Sequence, residues 1–123
     1  MDKHILQGID TVILRVSNIE KSKKWYTQKL GLKAIHQDER LRLVVLDTFS
    51  PTSLTIWETD EKIQPNPRTT TYPIFRTKDA REAHGQLKNR DISVGELISD
   101  HVVTYFTFQD IDNNILEVCQ VHN

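Results

Sequence analysis

The sequence predicts an α+β fold of two βαβββ units, whose sheets would shape a cleft-like, incomplete barrel. Three observations predict it. Apolar runs rich in β-branched residues alternate with two short amphipathic stretches, in the same order twice over. Each amphipathic stretch follows a capping residue, Asn18 in the first half and Asp79 in the second. At an offset of 61, Arg15 falls on Arg76 and Asn18 on Asp79, so both helices start at the same distance from one point in a strand. Identity between the halves is weak, and the repeat rests on element order and caps.

Residues 9–16 (IDTVILRV) read as the first strand. Ser17 or Asn18 then caps a helix over 19–30, with Ile19, Ser22, Tyr26 and Leu30 on one side and the lysines in water. Gly31 ends it as a C′ glycine. Strands over 33–37 and 41–47 flank the turn Asp38-Glu39-Arg40, and FSPTS leads into a fourth strand over 54–58. The first unit therefore covers 9–58. Residues 59–70 (TDEKIQPNPRTT) are polar, carry two prolines and read as a linker. The second unit, 71–122, restarts with a strand over 72–76. Asp79 caps its helix, Glu82 completes a capping box, and Ala80, Ala83 and Leu87 form a modest apolar stripe. Strands over 93–98, 102–108 and 114–121 close the pattern. The whole chain, 1–123, reads as one domain.

Composition narrows the function. At 123 residues, with 37% hydrophobic and 27% charged residues and a net charge of −1, the chain supports a globular core. No basic excess points to nucleic acid, and no Lys/Arg cluster points to a membrane surface. MDKHILQGID lacks the apolar core of a signal peptide, and no apolar run reaches roughly 18 residues, so a cytoplasmic location is expected. The single cysteine, Cys119, fits that compartment and reads as a small core residue rather than a nucleophile.

Few motifs carry chemistry. The histidines His4, His36, His84, His101 and His122 show no ligand spacing. His4 and His122 are near the termini, His84 is expected on the solvated side of its helix, and His101 near a rim. No nucleophile elbow and no glycine-rich phosphate loop occurs. Asp110, Asp112 and Asn114 mimic the start of a calcium loop but lack its glycine and terminal glutamate spacing. The informative stretch is QDIDNNILEV, residues 109–118. Glu117 interrupts its apolar run, and a buried carboxylate is costly unless paired or bound.

Two stretches, IDTVILRVSNIEKSKKWYTQKLGLKAI and YFTFQDIDNNILEV, carry a family resemblance. The chain resembles the vicinal oxygen chelate superfamily: glyoxalase I, bleomycin resistance proteins, fosfomycin resistance enzymes and extradiol dioxygenases. The first stretch is similar to the family's strand, Asp-Leu-x-x-Ser, aromatic-Tyr and Leu-Gly-Leu/Phe. The second is similar to Asp-Pro-Asp-Gly-Asn followed by an aliphatic residue and Glu. Here Ile111 and Asn113 replace the proline and glycine, and Asn113 suits the left-handed turn that glycine usually takes. The resemblance implies the glyoxalase/bleomycin resistance-like fold.

In metal-dependent members, Glu117 would be the last metal ligand. The other ligand positions fall on Thr11, Thr55 and Tyr72, where His or Glu is usual. Glu58 would enter only through a register slip. Only Glu117 is retained, and neutral hydroxyls are poor substitutes for imidazole and carboxylate. The resemblance therefore implies a site without the usual divalent metal and without a cofactor. Equal strand parity places Ile13, Trp57, Ile74 and Ile115 beside these positions, and the resemblance adds Tyr105 and Thr107. The expected ligand-binding set is Thr11, Thr55, Trp57, Tyr72, Tyr105, Thr107 and Glu117. Arg15 or Arg76 could instead pair with Glu117 and make it structural, and several of these residues could simply fill the core.

Three functions follow. The first is a small-molecule-binding protein of the bleomycin-resistance type. The second is an enzyme: a glyoxalase-like lyase, a thiol transferase or a dioxygenase with a degenerate site, or a metal-free one with Glu117 as catalytic base. The third is a non-catalytic subunit that keeps the fold for dimerisation. A homodimer is expected by resemblance, and Trp25 beside Tyr26 would leave aromatic surface to cover.

Overall fold

The computed structural model describes residues 4–123. The first unit holds β1 (Thr11–Val16), α1 (Ile19–Gln28), β2 (Lys33–Asp38), β3 (Leu43–Asp47) and β4 (Ser53–Glu58). The second holds β5 (Ile74–Arg76), α2 (Ala80–Asn89), β6 (Ile98–Ser99), β7 (Val103–Gln109) and β8 (Ile115–Val121). Each unit forms a four-stranded sheet, in the orders β1-β4-β3-β2 and β5-β8-β7-β6. β1 pairs parallel to β4, and β5 parallel to β8; every other ladder is antiparallel. No described helix is long and apolar enough to cross a membrane.

The helices start where their caps dictate. Asn18 accepts the Lys21 N–H, and Asp79 accepts the Glu82 N–H. The capping box of α2 is only half formed, because the Glu82 carboxylate accepts from Gln86 and the Asp79 N–H donates to Thr77. α1 ends earlier than its pattern predicts. Lys29 is its C-cap, and Gly31, at φ +72°, lies two residues beyond it and turns the chain out. β6 is also shorter than the predicted strand over 93–98. Val94 makes only an isolated bridge to Phe108, and the Gly95 N–H donates to the Thr107 carbonyl at 2.7 Å.

Alternation sorts each sheet into two faces. Leu14, Val16, Val44, Leu46, Leu54 and Ile56 turn one face of the first sheet into the core, with Trp25 and Tyr26 of α1 among them. Phe106, Phe108, Leu116 and Val118 do the same in the second sheet, with Ala83 and Leu87 of α2 packed on the same core. Trp25 and Tyr26 stack edge to face at 4.9 Å and are both buried, so they leave no aromatic surface for a partner. His84 is not solvated as expected. Its Nε2 lies 2.9 Å from the Gly95 carbonyl and its ring packs edge-on against Phe106. His122 is tied down as well, with Nε2 2.6 Å from the Thr104 hydroxyl.

The units meet on the helix side. The Tyr26 hydroxyl donates to buried Asp110 at 2.6 Å, across 84 residues. Asp110 also accepts from the Asn114 amide side chain, the Asn114 N–H and the Asp112 N–H, each at 2.9 Å. Asn114 then donates to the Arg15 carbonyl, and Ser17 donates to Asp112. Asn113 holds the turn at φ +64°, the left-handed role expected of it. Burial pushes the Tyr26 hydroxyl well above its ordinary pKa, and the Asp110 charge adds to this. Burial also raises Asp110, against the hydrogen bonds from Tyr26 and Asn114. Tyr26→Phe leaves Asp110 short of one donor and should cost about 1–3 kcal/mol, read from urea unfolding midpoints. An unchanged midpoint would remove this contact from the fold's essentials.

Candidate functional site

The face of each sheet that no helix covers carries the candidate residues. In the first sheet, register aligns Ile13, Thr55 and Val45 across three strands, and Arg15, Trp57 and Leu43 beside them. In the second, Ile74, Glu117 and Thr107 align, as do Arg76, Cys119 and Tyr105. The expected inner-face parity therefore holds for Thr55, Trp57, Tyr105, Thr107 and Glu117. Ile13 and Ile74 take equivalent places in the two sheets and are 49% and 56% exposed.

Two polar clusters form, one per unit. In the first, the Thr11 and Thr55 hydroxyls lie 2.7 Å apart, and Thr11 also donates to the Ser53 carbonyl. Trp57 donates its indole N–H to the Leu41 carbonyl at 2.9 Å. The Arg15 guanidinium lies 4.9 Å from the Trp57 ring centroid and donates to the Trp57 and Glu58 carbonyls. In the second cluster, Tyr72 lies just before β5 and its hydroxyl donates to Glu117 at a long 3.5 Å. Tyr105, Thr107 and Cys119 are half-buried around it. The hydrogen bonds of Thr11, Thr55, Tyr72 and Glu117 stay within their own units.

Glu117 is 8% exposed. Burial raises its carboxyl above the ordinary value, with the Tyr72 hydroxyl pulling weakly the other way. Neither arginine makes it a structural ion pair: Arg15 is engaged on Trp57 and Glu58, and the ion pairs among the described residues are those of Arg42 with Glu58 and Asp60. Glu58 is outside the site altogether. It accepts the first N–H of α1, from Ile19 at 2.9 Å, and pairs with Arg42.

The expected core role of Cys119 is not what the structure shows. The thiol is half-buried on the inner face, at the register of Arg76 and Tyr105. Burial, Glu117 and Asp100 all raise its pKa, which keeps it a thiol. The sequence offered Arg15 as a partner for Glu117; its stacking on Trp57 instead depends on the parallel register of β1 on β4, which no local pattern gives.

The donor chemistry does not fit a transition metal. Two threonine hydroxyls, one phenol and one carboxylate occupy the positions in question, and the three neutral oxygens bind such ions poorly. Among the described residues, no group of three or more His, Cys, Asp and Glu comes together.

Comparison with known proteins places this geometry. Residues 8–118 match the family model described as Glyoxalase/Bleomycin resistance protein/Dioxygenase superfamily. No curated protein matches the chain in sequence. Among solved structures, it is similar to TnmS3, an antibiotic binding protein from Streptomyces sp. CB03234, at 18% identity and TM-score 0.82, covering 98% of this chain and 100% of that one. It is similar to the fosfomycin resistance protein FosX from Listeria monocytogenes at 14% identity and TM-score 0.78, covering 96% of each. An integron cassette protein, HFX_CASS4, from the mobile metagenome of the Halifax Harbour sewage outfall, is 22% identical at TM-score 0.79, covering 94% of this chain and 100% of that one. At these identities the structural likeness shows the fold.

A raised carboxyl pKa means the folded chain holds its proton more tightly than the unfolded chain. Stability then falls as pH rises from the unfolded value through the folded one. Glu117→Gln removes that contribution, so the variant should gain on the wild type between pH 4 and pH 7 in urea unfolding. Parallel curves across that range would show that Glu117 is not strained by burial.

Proposed function

The chain belongs to the Glyoxalase/Bleomycin resistance protein/Dioxygenase superfamily, and from that premise we propose that it binds a small organic molecule on its helix-free sheet faces, without a metal chelate. One observation carries the reading. Glu117 is buried on an otherwise open face, and among the described residues its side-chain hydrogen-bond partner is a phenol at 3.5 Å. A buried carboxylate without a counter-charge is costly, and a ligand cation or strong donor would relieve it. Trp57, Tyr72 and Tyr105 supply aromatic walls for such a ligand, and Thr11, Thr55 and Thr107 supply hydroxyls. The proposed ligand is therefore a flat, partly apolar molecule carrying a cation or donor. That TnmS3 is named an antibiotic binding protein and shares the fold supports a sequestering role.

A homodimer belongs to the same proposal. Each unit carries only one of the two clusters, and half-exposed Ile13 and Ile74 leave apolar surface on both faces. A second copy could bring a first-unit cluster against a second-unit cluster. A second reading is metal-free catalysis. The raised pKa of Glu117 suits a general base that takes a proton from a bound substrate.

Thermal shift against a panel of cationic aromatic molecules, with sedimentation to read the assembly state, tests the proposal. Hits should raise the wild-type midpoint, and Glu117→Gln should weaken their binding roughly tenfold or more. A stoichiometric metal lost in Glu117→Gln, or hits that bind that variant as tightly as the wild type, would overturn it.

A further inference from the structure

The two units repeat closely enough to be compared residue by residue. α1 (Ile19–Gln28) and α2 (Ala80–Asn89) correspond at an offset of 61. The last two strands correspond at 62, since Val45 pairs with Thr55 as Thr107 pairs with Glu117. Tyr26 thus corresponds to Leu87, and Asp110 to Thr48. The second pair keeps part of the geometry: Thr48 hydrogen-bonds the Thr52 carbonyl, as the Asp110 turn closes on Asn114.

The equivalence then breaks. Where Tyr26 reaches Asp110, Leu87 is shorter and carries no donor, and the junction stays open. A cavity of about 350 Å³ lies there. Leu30, Leu32, Phe75, Leu87 and Phe108 form its apolar floor. At its edge stands Phe49, 72% exposed and held at φ +62°, a conformation rare for a bulky residue. Among the described residues, the charged ones around the cavity are Arg90 and Arg76, whose strand register sets it on the helix-free side, and none is acidic. Arg90 is held at the edge by a reciprocal pair of bonds, from its Nη1 to the Lys29 carbonyl and from Lys29 Nζ to the Arg90 carbonyl. One guanidinium donor is used there out of five.

We propose that this open junction is a second binding site, separate from the helix-free faces, for a small amphipathic carboxylate. The apolar body would fill the gap where a Tyr26 counterpart is missing, and the carboxylate would take the remaining Arg90 donors. The volume is at the lower end for small-molecule sites, roughly 300–1,000 Å³, which suits one aromatic ring with a short tail.

Titration of the full chain with 4-phenylbutyrate, followed by amide NMR shifts, tests this. Saturable shifts should centre on Leu30, Leu32, Thr48, Phe75 and Leu87. Arg90→Gln, and the uncharged analogue 4-phenylbutanol, should each weaken binding roughly fivefold or more. Leu87→Tyr places a phenol in the gap and should abolish binding, while Glu117→Gln should leave it unchanged. Shifts centred on Thr55, Tyr105 and Glu117, no saturation, or full affinity in Arg90→Gln would overturn the proposal. Arg90 is exposed, so that variant decides the matter even if Leu87→Tyr fails to fold.

Discussion

The Asp110 carboxylate ties the two halves of the molecule together. It is buried, yet it has a phenol, a side-chain amide and two backbone N–H groups as donors. Such a carboxylate is tolerated only when its lone pairs are used. The turn that Asn113 shapes exists to present those donors, and Tyr26 reaches the same carboxylate from the other unit. The helix sides of both sheets are thereby held against one continuous core. Among the described residues, neither helix covers the opposite faces.

That division of labour explains the site. A strand buried on both faces would read as a continuous apolar run. β8 does not, because Glu117 and Cys119 alternate with Leu116 and Val118. The open faces collect hydroxyls, rings and the buried acid Glu117, and the Arg15–Trp57 cation–ring contact belongs to the other unit. A face satisfied by its own residues would have placed Arg76 against Glu117, and it does not.

Much of this was legible in the chain. Element order, both N-caps, the Asn113 turn and the inner-face parity follow from local chemistry, where neighbours in sequence decide the outcome. The errors share one cause, which is contact across long separations. Trp25 looked exposed because the core that covers it comes from distant strands. His84 looked solvated because its partners, Gly95 and Phe106, meet only in the folded sheet. Cys119 looked like core from its residue type, although its parity with Glu117 already set it on the open face. The shortening of β6 turns on Gly95, where an added Cβ would lie 2.9 Å from the Thr107 hydroxyl oxygen, a proximity no local pattern reveals.

The two tryptophans lie on opposite sides of the first sheet's architecture. Trp25 is on the core side of α1, edge-on to Tyr26 and 8% exposed, while Trp57 is half-buried on the open face beneath Arg15. Nature has in effect installed two independent optical reporters. The emission of Trp25 tracks the junction between the units, and that of Trp57 tracks whatever approaches the open face. A molecule quenching one indole while sparing the other would reveal, without any label, on which side of the sheet it had arrived.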